Sequence, residues 1–130
     1  MKNMGKPWRI ASIGELLWDL LPGGPQLGGT TANFAAFLAQ MSSGVADKPA
    51  DEVFLVSRTG DDEFGLQARK QLAAYHVRVD HISLDLNHPT GTVAVVLDEN
   101  KGPIYRIREN VAWDTIPETP QLAALAPTLD

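Results

Sequence analysis

At 130 residues the chain is long enough to bury the core of one domain and short for two. Its 44% hydrophobic and 21% charged residues are those of a folded globular protein, and a net charge of -5 with 11 scattered Lys and Arg excludes a basic stripe for nucleic acid or an anionic membrane. Zero cysteines exclude disulfides, thiolate nucleophiles and cysteine-based zinc sites, and the separated His76, His81 and His88 lack metal-ligand spacing, so no metal is expected.

Residues 9–14 (RIASIG) are small and β-branched and end on glycine, the signature of a buried strand in a parallel sheet. Residues 16–21 (LLWDLL) continue extended with Asp19 in their middle, and residues 22–25 (PGGP) break the run into a loop that leads to Gly28-Gly29. After the glycines, Phe34, Phe37, Leu38 and Met41 recur at i, i+3, i+4 and i+7, which predicts an amphipathic helix packing that stripe on a sheet. Residues 42–52 (SSGVADKPADE) read as a surface loop and residues 53–56 (VFLV) as a second buried strand. Gly60-Asp61-Asp62 supplies a turn and a helix cap, a structural role, ahead of a second stripe at Phe64, Ala68, Leu72 and Tyr75.

The alternation of strand and helix predicts an α/β fold with a parallel sheet flanked by helices. From Val77 the pattern changes to period two: residues 77–79 and the Ile82, Leu84, Leu86 alternation read as half-buried strands. Residues 92–98 (TVAVVLD) then pair with residues 104–108 (IYRIR) across the turn at 99–102 (ENKG). These segments form a small antiparallel β lid, with lid strands at about residues 16–22 and 77–109 of a single domain, 1–130. Residues 114–127 read as a loop and short helix, after which the alternating pattern calls for another strand where the chain stops. No apolar run reaches the roughly 18–20 residues of a membrane span, and the start MKNMGKPWRI lacks a signal-peptide core, so the cytoplasm is the expected location.

Three short motifs stand in order: Gly14-Glu15 with Asp19, then Gly28-Gly29-Thr30-Thr31-Ala32-Asn33, then Gly60-Asp61-Asp62-Glu63-Phe64-Gly65; a fourth stretch, residues 109–117 (ENVAWDTIP), follows. Together they resemble the PfkB (ribokinase-like) carbohydrate kinases, fructokinase branch, over residues 9–130. Two positions depart from that pattern: Thr31 stands where a small residue or proline is usual, and the loop at 42–52 is longer than the family link.

The resemblance implies that Asp19 and Asn33 fall on sugar-binding positions, with Gly28 and Gly29 letting backbone approach the ring. The residue chemistry agrees, because a carboxylate accepts from neighbouring hydroxyls and an amide both donates and accepts. On the ribbon, Arg106 and Arg108 share one face and Tyr105 with Ile107 the other, so one of these faces meets a substrate under a lid. Trp18 and Trp113 read as core or lid-interface packing. In the family a late G-A-G-D signature supplies the catalytic base and an anion hole, and Mg-ATP is the phosphoryl donor. This stretch is absent here, as is G-x-x-x-x-G-K-[ST], so no catalytic and no cofactor-binding residue is expected in this chain.

The sequence therefore predicts a truncated fructokinase-like chain that keeps a pocket for fructose or a similar sugar and is inactive alone. A non-enzymatic sugar-binding or regulatory module is the alternative. A dinucleotide loop at Gly28-Gly29 is disfavoured, because the G-x-G-x-x-G spacing and the later acidic ribose contact are missing. A sheet cut midway leaves an open edge, so a homo-oligomer formed through the lid or that edge is expected.

Overall fold

The apolar run Val53, Phe54, Leu55 and Val56 is buried on both sides, and the molecule, here a computed structural model that describes residues 5–130, is built outward from it. In chain order the elements are β1 (Arg9–Ile13), β2 (Leu17–Leu21), β3 (Gly24–Gly28), α1 (Thr30–Ser43), β4 (Glu52–Gly60), α2 (Glu63–Ala74), β5 (Val77–Arg78), β6 (Ile82–Asp85), β7 (Gly91–Asp98), β8 (Gly102–Ile107) and α3 (Pro120–Leu125). Short 3-10 turns cover Ala112–Thr115 and Ala126–Thr128.

The central sheet is parallel throughout. β4 pairs with β1 on one side, Arg9 opposite Glu52 and Ile13 opposite Val56. On its other side it takes β5 against its first half and β6 against its second. Period-two alternation then splits the side chains of β4 between two helical layers. Val53 and Leu55 pack with Ala32, Ala35 and Ala39 of α1 and with Ala68 and Leu72 of α2. Phe54 and Val56 pack with Leu125 of α3 on the opposite face. Leu16, Leu55 and Leu72 are fully buried, each contributing about 1.5–3 kcal/mol. The end of the chain reaches the outer side of β1, where the Asp130 amide donates to the Arg9 carbonyl at 3.0 Å. No helix among the described residues is long and apolar enough to cross a membrane.

A second sheet of four strands, ordered β3-β2-β7-β8, stands over the C-terminal ends of the first. Its β7–β8 hairpin falls where the alternation and the turn at 99–102 place it, with Asp98 opposite Gly102 and the Asp98 carboxylate accepting from the Asn100 and Lys101 amides.

Three elements depart from the sequence expectation. The segment taken as a loop before Gly28 is strand β3, antiparallel to β2. Pro25 lies in it without penalty because β3 is the edge of its sheet and needs no donor there. β5 and β6 belong to the parallel sheet and not to the lid, which corrects the lid range of 77–109 to β7 and β8, joined by β2 and β3. An edge strand of a parallel sheet is half-buried like a lid strand, so period two alone does not distinguish them. Finally, α1 packs through its small residues: Phe34, Phe37 and Met41 are 54%, 67% and 58% exposed, while Ala35 is 0%. The alanines let the helix axis approach β4 closely; of the large residues in the expected stripe, Leu38 packs against the core while Phe34, Phe37 and Met41 are turned outward.

Candidate functional site

The polypeptide crosses from the first sheet to the second immediately after β1, at Gly14 and Glu15, and returns down β3 into α1. That return brings the start of α1 under the β2–β7–β8 face. Between them is an open cavity of about 510 Å³, lined by Glu15, Leu17, Asp19, Gly29, Thr30, Asn33, Val93, Tyr105, Ile107 and Trp113. Its volume is that of a small-molecule site. Its lining combines polar side chains, Glu15, Asp19, Thr30 and Asn33, with apolar ones, Leu17, Val93, Tyr105, Ile107 and Trp113.

Asp19 reaches the cavity because β2 alternates: Trp18 points to the core, where its indole donates to the Phe64 carbonyl at 3.0 Å, so Leu17 and Asp19 face the other way. Gly28 pairs with Leu17 and lies diagonally across from Asp19 in the β2–β3 pair, and a Cβ there would collide with the Asp19 carboxylate. Gly29 caps α1 with φ 98°, a conformation that favours glycine, and a Cβ on it would come within 2.7 Å of the Glu15 carbonyl. The helix start is held by two bonds to Glu15: its Oε1 accepts from the Thr30 amide at 2.6 Å and its carbonyl from the Thr31 hydroxyl at 2.6 Å. Thr31, the departure from the family pattern, thus ties the strand end to the helix. Asn33 follows in the first turn, its amide donating to the Gly29 carbonyl at 2.8 Å.

Neither the Asp19 carboxylate nor the Asn33 carboxamide has a hydrogen-bond partner among the described residues, so both are free to serve a ligand. Of the lid residues singled out from the sequence, Tyr105 lines the cavity. Arg106 and Arg108 do not, since they alternate to the other face of the ribbon, where Arg108 adds positive charge near Asp62. Ile107, which shares the Tyr105 face, lines the cavity too, whereas Glu15, Thr30 and Trp113 are lining residues that sequence reasoning did not single out as contacts. Glu15 and Thr30 adjoin motif glycines, and Trp113 falls inside the stretch 109–117, which are the signals that point to them.

Gly60-Asp61-Asp62 is a scaffold, as its capping chemistry suggests. Asp62 accepts from the Gly65 amide at 2.8 Å as the cap of α2, and from the Thr90 hydroxyl and amide at 2.7 and 2.9 Å. Burial pushes its pKa up, but the bonds from Thr90 and Gly65 and the charge of Arg108 outweigh it and hold the carboxyl below its ordinary value. Nearby, Asp85 is buried at 1% exposure and also held low, first by the Asn87 amide, with His88 and Arg58 adding to the effect. These two carboxylates fasten the loop between β6 and β7, from which the second sheet hangs. Among the described residues no group of three or more His, Asp or Glu could hold a metal ion.

Residues 24–125 match the model of the pfkB family carbohydrate kinases. The chain is 38% identical over 101 residues, 74% of its length, to a fructokinase from Klebsiella pneumoniae, of which it covers 29%. Crystal structures of Vibrio cholerae fructokinase share the fold. The apo form superposes with TM-score 0.71 at 28% identity, over 83% of this chain and 36% of that one. The form with fructose, ADP and calcium ion bound superposes with TM-score 0.63 at 26% identity, over 80% and 33%. The chain thus spans about a third of the length of these relatives. On a match of this extent, the chain belongs to the pfkB family of carbohydrate kinases.

Proposed function

We propose that residues 1–130 act as one domain carrying the sugar-binding portion of a fructokinase-type active site, with fructose or a similar ketohexose as ligand. The observation that carries this reading is that Asp19 and Asn33, neither with a hydrogen-bond partner among the described residues, line one cavity together with apolar side chains. A sugar ring has the matching character, with hydroxyls at its edge and C–H bonds on its faces. Asp19 accepts from adjacent hydroxyls and Asn33 donates and accepts, Gly28 leaves room for the Asp19 carboxylate and Gly29 places the helix start against the ligand, while Tyr105 closes over it. The Vibrio cholerae relative with bound fructose supports the choice of ligand.

Phosphoryl transfer needs an aligned donor, neutralised phosphate charge and a group positioning the attacking hydroxyl. The 130 residues contain no G-A-G-D run. Mg-ATP and the catalytic base therefore belong, on this reading, to protein beyond these residues, and the chain alone binds sugar without phosphorylating it. The chain self-associates through the lid, at the open outer edge of β8, or through another exposed sheet edge, and it works in the cytoplasm. Calorimetric titration with fructose, paired with an ADP-release assay and light scattering, tests these statements. Saturable binding without ADP release, in a species larger than a monomer, is expected. Failure to bind removes the pocket, ADP release removes the division of labour, and a strict monomer removes self-association.

A further inference from the structure

Trp113, half-buried, lines the cavity from a short 3-10 turn. The chain leaves β8 through Asn110, whose φ of 55° turns it sharply, and enters the 3-10 turn at Ala112–Thr115. Val111 and Ala112, just before the tryptophan, are 1% and 0% exposed. The turn is fastened on several sides: the Ala112 amide donates to the Pro89 carbonyl at 2.8 Å, the Val111 amide to Asp114 Oδ2 at 3.0 Å, and the Arg58 guanidinium to the Thr115 carbonyl at 3.0 Å. The indole lies directly against the backbone of Gly91, the first residue of β7. A Cβ at Gly91 would come within 2.8 Å of Cδ1 and 2.9 Å of Nε1 of Trp113, and 3.1 Å of the Leu16 carbonyl. Gly91 pairs with Leu17, two residues from Asp19, so the same strand pair sets both the aromatic wall and the carboxylate.

The two tryptophans of the lid region differ in one respect. The Trp18 Nε1–H is satisfied by the Phe64 carbonyl, whereas the Trp113 Nε1–H has no acceptor among the described residues. Indole is a donor only, and Trp113, half-buried with its N–H open to solvent, has an apolar face and one hydrogen bond to offer a ligand in the cavity.

We infer that Trp113 is a sugar-contact residue, the platform that covers a C–H face of the ring while Asp19 and Asn33 hold its hydroxyls, and that Gly91 is the positioning residue that seats it. This rests on the sugar-binding reading above. Because both partners of the contact are identified, the inference separates from mere packing: enlarging Gly91 must displace the indole and weaken the ligand although every contact residue is retained.

The test is fructose titration of the full chain and its Trp113→Ala, Trp113→Phe, Gly91→Ala and Asp19→Ala variants, read by calorimetry and by tryptophan emission, with circular dichroism to establish folding. Trp113→Ala and Gly91→Ala should each weaken binding about tenfold or more, and Trp113→Phe should recover most of it. Fructose should change the emission of the wild type and leave that of Trp113→Phe, which keeps Trp8 and Trp18, unaffected. Should Trp113→Ala not fold, the phenylalanine and Gly91 variants decide by emission and affinity. If Asp19→Ala abolishes binding while folded Trp113 and Gly91 variants bind as the wild type does, the Trp113 inference fails and the sugar-binding reading stands. If the wild type binds no fructose, both fail.

Discussion

Thr90 is the place where a single atom can be removed with a calculable result. Its hydroxyl donates to Asp62 Oδ1 at 2.7 Å and accepts from the buried Gly60 amide at 3.0 Å, and the residue is 1% exposed. Thr90→Val keeps the shape and deletes the oxygen. The Gly60 N–H is then left buried without an acceptor, which costs about 1–3 kcal/mol, and the bond to the Asp62 carboxylate, worth about 1.5 kcal/mol, is lost. The added methyl returns at most about 0.8 kcal/mol. A net loss of about 2–4 kcal/mol follows, or a Tm lower by roughly 6–20 °C. Thr90→Ser, which restores the oxygen, should recover most of it.

The loss should also depend on pH. Asp62 is held below its ordinary pKa in the folded state, so its contribution is complete above its unfolded pKa and disappears as pH falls through the folded one. The Thr90→Val deficit should therefore be full near neutrality and shrink in acid below about pH 4, leaving the Gly60 component. Urea unfolding followed by circular dichroism at several pH values measures this. A Thr90→Val protein within about 0.5 kcal/mol of the wild type at neutral pH would refute the reasoning.

Other perturbations probe separate links. Gly28→Ala places a methyl on the Asp19 carboxylate and should reduce fructose affinity about tenfold or more; unchanged affinity by calorimetry would show that Asp19 is not used in this position. Ala35→Leu, at 0% exposure, should cost about 1–3 kcal/mol by overpacking α1 on the sheet, whereas Phe37→Ser should stay within about 0.5 kcal/mol. Denaturant midpoints in the reverse order would mean that α1 packs through its large residues after all. Asp85→Asn should remove part of the stability present above the unfolded carboxylate pKa and lost in acid, since the folded pKa is lowered; an unaltered pH profile of Tm would count against that.

The sequence made the order of strands and helices around β1, α1, β4 and α2 readable, because buried parallel strands and capped helices leave strong local marks. It did not disclose which face of α1 is buried. Phe34, Phe37 and Met41 have the right spacing for a core stripe, but Ala32, Ala35 and Ala39 are what a close helix-sheet contact accommodates, and size matters there more than hydrophobicity. Strand β3 was hidden by its own turn residues, since an edge strand tolerates the glycine and proline that elsewhere end one. Of the residues that line the cavity, Asp19, Gly29 and Asn33 stand in motifs that the sequence displays. Trp113 was not legible as a contact, because what brings it to the cavity is a contact with Gly91, 22 positions earlier, which no local pattern reports.

The most direct test of the account is a crystal structure of the chain grown with fructose. The account predicts sugar hydroxyls within about 2.6–3.2 Å of both the Asp19 carboxylate and the Asn33 carboxamide, with the ring against the Tyr105 and Trp113 wall. Fructose seated elsewhere, with Asp19 and Asn33 left to solvent, would contradict it.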